Sequence, residues 1–257
     1  MASDIGIEEL FVDPDNIKTQ DHLNRIAEWT DQNKMKLNEN KTKYMVFSRS
    51  DTEVATRLTL NGRTLDRIEE AKIVGVWVTT WLDWTKNTSE LCKKAYARVT
   101  MLTKLKYAGI STIELINIYT LYIRSVLEYC SVVWHSTLTE DQNQAIERVQ
   151  KTCLKIILGQ DYQNYKQAME YCGLKSLVER REQRCLQFTL KCLTHPVHKR
   201  MFPVNPKIYG ENPTRNQEHF IVNKAKSESY RRSAIPYMQR KLNDYIKQQK
   251  ANARSSI

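Results

Sequence analysis

The pattern of apolar and polar positions changes near residue 80 of the chain. Before that point, residues 43–48 alternate and residues 73–78 are rich in β-branched residues, both of which are typical of short strands. Asn61-Gly62 predicts a hairpin turn, because both residues readily adopt positive φ angles. A helix is predicted ahead of the strands, over about residues 19–33. The first third of the chain is therefore predicted to form a small antiparallel β-sheet.

From Asp83 onward, apolar residues recur at the three- and four-residue spacing of amphipathic helices, and Asp83 is predicted to cap the first of them. Residues 113–134 are apolar nearly all round, which predicts a central helix. Three further helix starts are predicted by capping boxes, in which Ser or Thr pairs with Glu or Gln three residues later. These boxes begin at Ser111, Thr139 and Ser176.

Together these elements predict an α+β fold that is predominantly α-helical, with a small antiparallel β-sheet followed by a helical region. Residues 1–80 are predicted to hold the sheet and residues 81–195 the helical region. Residues 196–257 contain a proline-rich loop and a predicted C-terminal helix over about 235–249. Gly159 is predicted to end a helix in a left-handed conformation.

The composition adds a strong basic excess to this picture. The 257 residues carry a net charge of +11, and the pI is near 9.3, so polyanions such as nucleic acid come first as partners. The six cysteines form no Cys-x-x-Cys pair, which favours reduced thiols in the cytoplasm or nucleus. Charged residues interrupt the apolar segment 113–134, so no membrane span is predicted.

Motifs for metal or nucleophilic chemistry are absent from the sequence, which has neither an Asp-Asp pair nor a Gly-rich phosphate loop. Cys185, Cys192, His195 and His198 come closest to a metal site, because zinc accepts thiolate and imidazole ligands. The two cysteines also fall on the apolar face of their helix, where a free thiol packs as a small apolar group. The core interpretation is favoured, and no metal site is predicted.

Basic side chains recur at helical spacing in three predicted helices, and such rows match a phosphate backbone. The rows are Arg180, Arg184 and Lys191; Arg148, Lys151 and Lys155; and, more loosely, Lys93, Lys94, Arg98 and Lys104. Alternatively, they are solvated helix faces that are partly paired with Glu147, Glu179 or Glu182. Both interpretations remain open at this point.

Three tryptophans cluster where the predicted strands give way to helices. Trp77, Trp81 and Trp84 could stack on bases or pack the sheet end against the first helix. Packing is predicted for Trp84, and both interpretations stay open for Trp77 and Trp81.

Six parts of the chain, in order, resemble the reverse transcriptases of non-LTR retrotransposons. Residues 29–47 resemble the fourth palm motif and the strand after it. Residues 71–76 resemble the primer grip, with Val74 in place of a leucine. Residues 82–84 with 93–95 resemble the start of the thumb. Residues 119–134 and residues 146–151 resemble the helices that follow the thumb. The sixth part, residues 180–182 with 233–236 and 240–243, resembles the C-terminal end of such polyproteins.

The resemblance implies roles for several palm residues. Such enzymes hold two magnesium ions with palm aspartates. The motif with these aspartates is expected to precede residue 1 or to be degenerate near it, so this chain alone is expected to be inactive and to hold no cofactor. Lys41 matches the palm lysine that assists the departing pyrophosphate. Gly75 would let a primer backbone approach closely, or would form a β-bulge or a packing contact. Lys43 and Trp77 are also predicted to contact nucleic acid.

The basic rows and the resemblance together predict a C-terminal fragment of a retroelement reverse transcriptase, comprising a palm remnant and a helical thumb and connection region. Its predicted function is sequence-independent binding of RNA or an RNA–DNA hybrid, without nucleotidyl transfer. One alternative is a helical protein-interaction module, or an inert retroelement relic, with no role in nucleic-acid binding. Another is a working polymerase, which would need carboxylates from another chain.

Overall fold

The computed structural model describes residues 18–47, 57–209 and 218–255. It is mostly helical, at 64%, with small two-stranded sheets, which confirms the predicted α+β and predominantly α-helical class. The chain divides into two compact units, which we call the N-terminal unit (residues 1–83) and the helical unit (residues 84–257).

The N-terminal unit contains one described helix and three separate pairs of short strands. In chain order these are α1 (Thr19–Gln32), β1 (Lys43–Tyr44), β2 (Thr59–Leu60), β3 (Arg63–Thr64), β4 (Asp66–Arg67), β5 (Glu70–Ile73) and β6 (Val76–Thr79). β2 pairs with β3 and β5 with β6 in antiparallel fashion, whereas β1 and β4 are parallel. Leu23 of α1 packs against Leu58, Leu60 and Leu65 to form the core of this unit.

Two hairpin turns shape the N-terminal unit. Asn61 and Gly62, with φ angles of 51° and 79°, connect β2 and β3, which confirms the predicted turn. The predicted single strand over residues 73–78 is wrong, because Val74 and Gly75 have φ angles of 46° and 85° and form a turn between β5 and β6. Glycine adopts this conformation easily, but a β-branched residue does so rarely. The β-branched run therefore concealed the turn.

The described part of the helical unit is built mainly of α-helices, and residues 195–227 separate α8 from α9. Its described α-helices are α2 (Thr85–Tyr107), α3 (Thr112–Ile118), α4 (Arg124–Leu127), α5 (Ser131–Trp134), α6 (Glu140–Leu158), α7 (Tyr165–Tyr171), α8 (Leu177–Thr194), α9 (Glu228–Arg232) and α10 (Ala234–Ser255). α10 continues past the predicted end near residue 249, since the following residues include neither proline nor glycine.

Capping signals set several of these helix ends as predicted. Both halves of the capping box form at Ser111 before α3 and at Thr139 before α6. At the start of α8, the Ser176 hydroxyl accepts a hydrogen bond from the backbone N–H of Glu179. α6 ends before Gly159 as predicted, but the φ and ψ angles of Gly159, 60° and −119°, differ from the predicted left-handed helical conformation. The positive φ angle still favours glycine.

The start of α2 differs from the prediction. Asp83 does not cap it, because α2 begins after Trp84 and has no side-chain cap. The Asp83 carboxylate instead accepts a hydrogen bond from the Thr79 hydroxyl at 2.8 Å. Trp84 is buried, and its indole N–H donates to the Thr137 hydroxyl at 2.6 Å, which confirms its predicted packing role.

The predicted single helix over residues 113–134 is wrong. α3 leads into a turn of π-helix at Tyr119–Ile123 and then into α4, and Cys130, with a φ angle of 50°, separates α4 from α5. The segment also has an outward side, since Ile113 is 73% exposed and Leu121 is 78% exposed. Because both sides are apolar in sequence, the pattern could not show which one packs inward.

α2 and α6 lie side by side and run in the same direction. Near their first turns, the Gln142 amide donates to the Thr85 hydroxyl at 3.2 Å. Near their last turns, the Lys106 ammonium donates to the Ile157 carbonyl at 2.8 Å. This arrangement places both long helices along one side of the unit's core.

Buried polar contacts fix the inner face of α6. The Glu147 carboxylate accepts the backbone N–H of Leu177 at the start of α8 at 3.1 Å, and also accepts the Tyr165 hydroxyl of α7. Gln150, which is fully buried, donates to Tyr165 at 2.6 Å and accepts the hydroxyl of Tyr119. Buried polar groups need such partners, so these bonds hold α6 in one rotational setting.

Candidate nucleic-acid interface

The basic excess of the chain belongs entirely to the helical unit. Residues 84–257 contain 29 Lys and Arg against 14 Asp and Glu, a net charge of +15. Residues 1–83 contain 11 against 15, a net charge of −4. The positive charge of the helical unit attracts a polyanion, and the negative charge of the N-terminal unit repels it. The candidate interface is therefore located in the helical unit.

Arg148, Lys151 and Lys155, which we call the α6 row, are all exposed and extend over about 10 Å of helix. The Lys151 ammonium lies 5.1 Å from the centre of the Tyr165 ring, and the Lys155 ammonium lies 5.6 Å from that of Tyr162. Aromatic faces attract cations and thereby limit the movement of these lysines. Within the described part of the chain, no carboxylate pairs with the row. Its positive charge is thus available to an anion.

The predicted row on α2 is only partly available. Lys93, Lys94 and Lys104 are exposed. Arg98 is half-buried; its guanidinium lies 4.1 Å from the centre of the Tyr122 ring and donates to the backbone carbonyl of that residue. Arg98 therefore joins α2 to the π-helical turn, and the lysines carry the free charge of this face.

The predicted row on α8 is divided between two roles. Arg180 and Arg184 pair with the buried carboxylate of Glu128, at 2.6 Å and 3.5 Å. Lys191, farther along the helix, is exposed. Sequence spacing identified the two arginines but missed Glu128 and its i−4 neighbour Arg124, which lie in an apolar stretch distant in sequence.

A fully buried arginine was also missed. The Nε group of Arg181 donates to Nδ1 of His135 at 3.2 Å, and its Nη2 donates to the Asn143 amide oxygen at 2.8 Å. Burial, and then the charges of Arg181 and Lys241, lower the pKa of His135 to about 4. His135 is therefore neutral in the folded protein at neutral pH.

His135 is expected to make the helical unit sensitive to mild acid. Its pKa is about 4 when folded and near 6.5 when unfolded, so the unfolded state binds a proton first as the pH falls. Stability present above about pH 6.5 should be lost progressively towards pH 4, by up to about 3 kcal/mol. The measurement is the free energy of unfolding of the wild type and of His135→Gln between these pH values.

Two comparisons interpret this pH series. The His135→Gln variant keeps an acceptor for Arg181 and should show a smaller loss of stability, while His198→Gln, at an exposed position, should follow the wild type. If the stability of the wild type and that of His135→Gln depended equally on pH, the acid sensitivity could not be assigned to His135.

The predicted site residues of the N-terminal unit are dispersed. Lys41 is exposed in a turn, and the Lys43 ammonium pairs with the Asp66 carboxylate at 2.9 Å, which lowers the pKa of Asp66. Gly75 is exposed at the hairpin turn, and Trp77 is half-buried on β6. The exposure of Lys41 and Gly75 is compatible with contact to a ligand, but the charge of Lys43 is already balanced.

The residues considered as zinc ligands do not come together. Cys185 and Cys192 are buried, while His195 and His198 are exposed and stack with ring centres 4.1 Å apart. Over residues 18–47, 57–209 and 218–255, no group of three or more His, Cys, Asp or Glu side chains is arranged to hold a metal ion.

Within the same described ranges, no helix has the length and apolar character needed to cross a membrane. Comparison with protein-family models, with curated proteins and with solved structures finds no match for the chain.

Proposed function

We propose that the chain is a fragment of a retroelement reverse transcriptase whose helical unit binds RNA or RNA–DNA hybrid independently of sequence. The observation that carries the proposal is the exposed α6 row in a unit with a net charge of +15. The family assignment rests on the resemblance of the six segments. The chain contains no Asp-Asp pair, so nucleotidyl transfer is not part of the proposed function. Cytoplasm or nucleus is the proposed location.

Sequence independence follows from the chemistry of the basic rows. The α6 row and the lysines of α2 offer ammonium and guanidinium groups at solvent-exposed positions. Contacts from such groups to the phosphate backbone carry no sequence information. The two helices run in the same direction, so both rows extend along the same axis of the unit. Each phosphate contact releases condensed counterions, which makes the affinity depend on salt.

The test is the affinity of the full chain for two unrelated mixed-sequence RNAs and for an RNA–DNA hybrid over a range of salt concentrations. With six contacts, from Arg148, Lys151, Lys155 and the three exposed lysines of α2, the slope of log K against log salt should be about −4 for single strands and −5 for a duplex. The two RNAs should bind equally. Undetectable binding at low salt, or binding that is indifferent to salt, would contradict the proposal.

A helical protein-interaction module is the second candidate, favoured by the exposed apolar side chains of Ile113 on α3 and Leu121 on the π-helical turn that follows it. Joint replacement of both by serine separates the two functions. RNA affinity should be unchanged if the α6 row carries binding. Replacing Arg180, Arg184 and Lys191 together would be a less informative test, because the two arginines are partners of Glu128 and their loss also affects folding.

A further inference from the structure

Three arginines surround one buried carboxylate in the helical unit. Nε and Nη2 of Arg180 donate to the two oxygens of Glu128 at 2.6 Å and 3.1 Å. Nη2 of Arg184 lies 3.5 Å from Oε2 of Glu128, and Nε of Arg124 lies 4.0 Å from it. The Glu128 side chain is 1% exposed, while those of Arg124, Arg180 and Arg184 are 17%, 25% and 46% exposed. The three arginine side chains are therefore partly exposed, while the side chain of their shared partner is buried.

This cluster holds more positive charge than its carboxylate balances. Three guanidinium groups against one carboxylate leave a local charge of +2. Arg180 occupies both carboxylate oxygens, and Arg124, at 4.0 Å, is beyond hydrogen-bonding distance and makes no side-chain hydrogen bond to the described residues. Burial, and the charges of Arg180 and Arg184, lower the pKa of Arg124. An arriving anion would relieve this repulsion.

We propose that Arg124, Arg180 and Arg184 form a discrete phosphate-binding site, in which Glu128 acts as a positioning residue. The proposal deepens the proposed function and rests on it only for the source of the phosphate, which would be the nucleic-acid chain. The site differs from the α6 row, because its arginines are held at fixed positions and not spread along an exposed helix face.

The chemistry of the cluster favours phosphate. Guanidinium groups present planar pairs of N–H donors that match phosphoryl oxygens. A phosphate monoester carries close to two negative charges at neutral pH, which equals the local excess, and an internal phosphodiester carries one. Glu128 already fills the position that a single carboxylate would take between Arg180 and Arg184. The remaining donors on Arg124 and Arg184 are the ones that a further oxyanion would engage.

Inorganic phosphate is the first probe, titrated into the full chain at constant ionic strength and followed by calorimetry. The wild type should bind it, and Arg124→Gln should weaken the affinity about tenfold or more, because one charged donor is lost. Arg148→Gln is the matched control, since it removes one charge from the α6 row; phosphate affinity should be unchanged. Equal phosphate affinity in the wild type and Arg124→Gln would overturn the proposal.

Glu128→Gln provides a test in the opposite direction. The amide keeps the shape of the side chain and an acceptor for Arg180, while the local charge rises from +2 to +3. Phosphate should bind several-fold more tightly, even though this variant unfolds at a lower temperature. If the cluster has only a structural role, Glu128→Gln should lose stability without a gain in phosphate affinity. That result would also overturn the proposal. If Arg124→Gln does not fold, Arg124→Lys takes its place in the phosphate titration. This variant should bind phosphate more weakly than the wild type.

Short RNAs with and without a 5′-phosphate show which phosphate of a nucleic acid the site binds. Tighter binding of the phosphorylated RNA by the wild type, lost in Arg124→Gln, assigns the site to a terminal phosphate. Equal binding of both RNAs, weakened in Arg124→Gln, assigns it to an internal phosphodiester. If RNA does not bind but inorganic phosphate binds in an Arg124-dependent way, the proposed function fails while the phosphate site stands.

Discussion

Replacing Arg148, Lys151 and Lys155 together with glutamate is expected to weaken the binding of mixed-sequence RNA by about a hundredfold or more at ~0.1 M salt. The three side chains are exposed on one face of α6, so their reversal changes a contiguous row from attractive to repulsive. They make no ion pair with a carboxylate in the described ranges, and the buried contacts of α6 come from its other face. The fold should therefore persist, and filter binding measures the loss directly.

The matched control reverses three other exposed cations of the helical unit, Lys224, Lys226 and Lys247. Both triple variants change the net charge by the same amount. The control should lose much less affinity, because it acts only through the overall field of the protein. If both variants lose affinity equally, the α6 row has no special part in binding, and net charge alone accounts for it.

Glu128→Ala is expected to lower the free energy of unfolding by about 3–5 kcal/mol. The substitution removes the carboxylate that pairs with Arg124, Arg180 and Arg184, and it cuts a side-chain link between the end of α4 and α8. For a unit of this size, the loss corresponds to a midpoint lower by about 6–20 °C. Thermal unfolding followed by circular dichroism provides the measurement.

Glu179→Ala is the comparison for this effect. Glu179 lies on the same helix as Arg180 and pairs with Lys175 at 3.2 Å, but both side chains are about half exposed. Exposed ion pairs contribute little, so this variant should change stability by about 1 kcal/mol or less. If Glu128→Ala unfolds at the same temperature as Glu179→Ala, then Glu128 does not hold the arginine cluster together.

Local signals predicted the parts of the fold that depend on a few adjacent residues. The Asn61-Gly62 turn, the capping box at Ser111 and the end of α6 at Gly159 all form as expected, because each depends on backbone angles or hydrogen bonds within about four residues. The turn at Val74-Gly75 escaped, since a β-branched residue occupies a position that such residues rarely adopt.

Packing decided the parts that sequence pattern could not predict. Residues 113–134 are apolar on both sides, so periodicity indicated neither the π-helical turn nor the exposed face that carries Leu121. The same limit applies to the candidate site. Helical spacing grouped Arg180 with Arg184, but Glu128 comes 52 residues before Arg180 and is identified as their partner only by tertiary structure. Spacing alone could not separate the available α6 row from arginines with a buried partner.

The most direct test of the central claim compares the salt dependence of RNA binding in the wild type and in a neutral variant with Arg148, Lys151 and Lys155 all replaced by glutamine. Each lost phosphate contact reduces the slope of log K against log salt by about 0.7–0.9. If the α6 row contacts phosphates, the slope of the variant should be shallower by about 2–3. An unchanged slope would contradict the claim that this helix face binds nucleic acid.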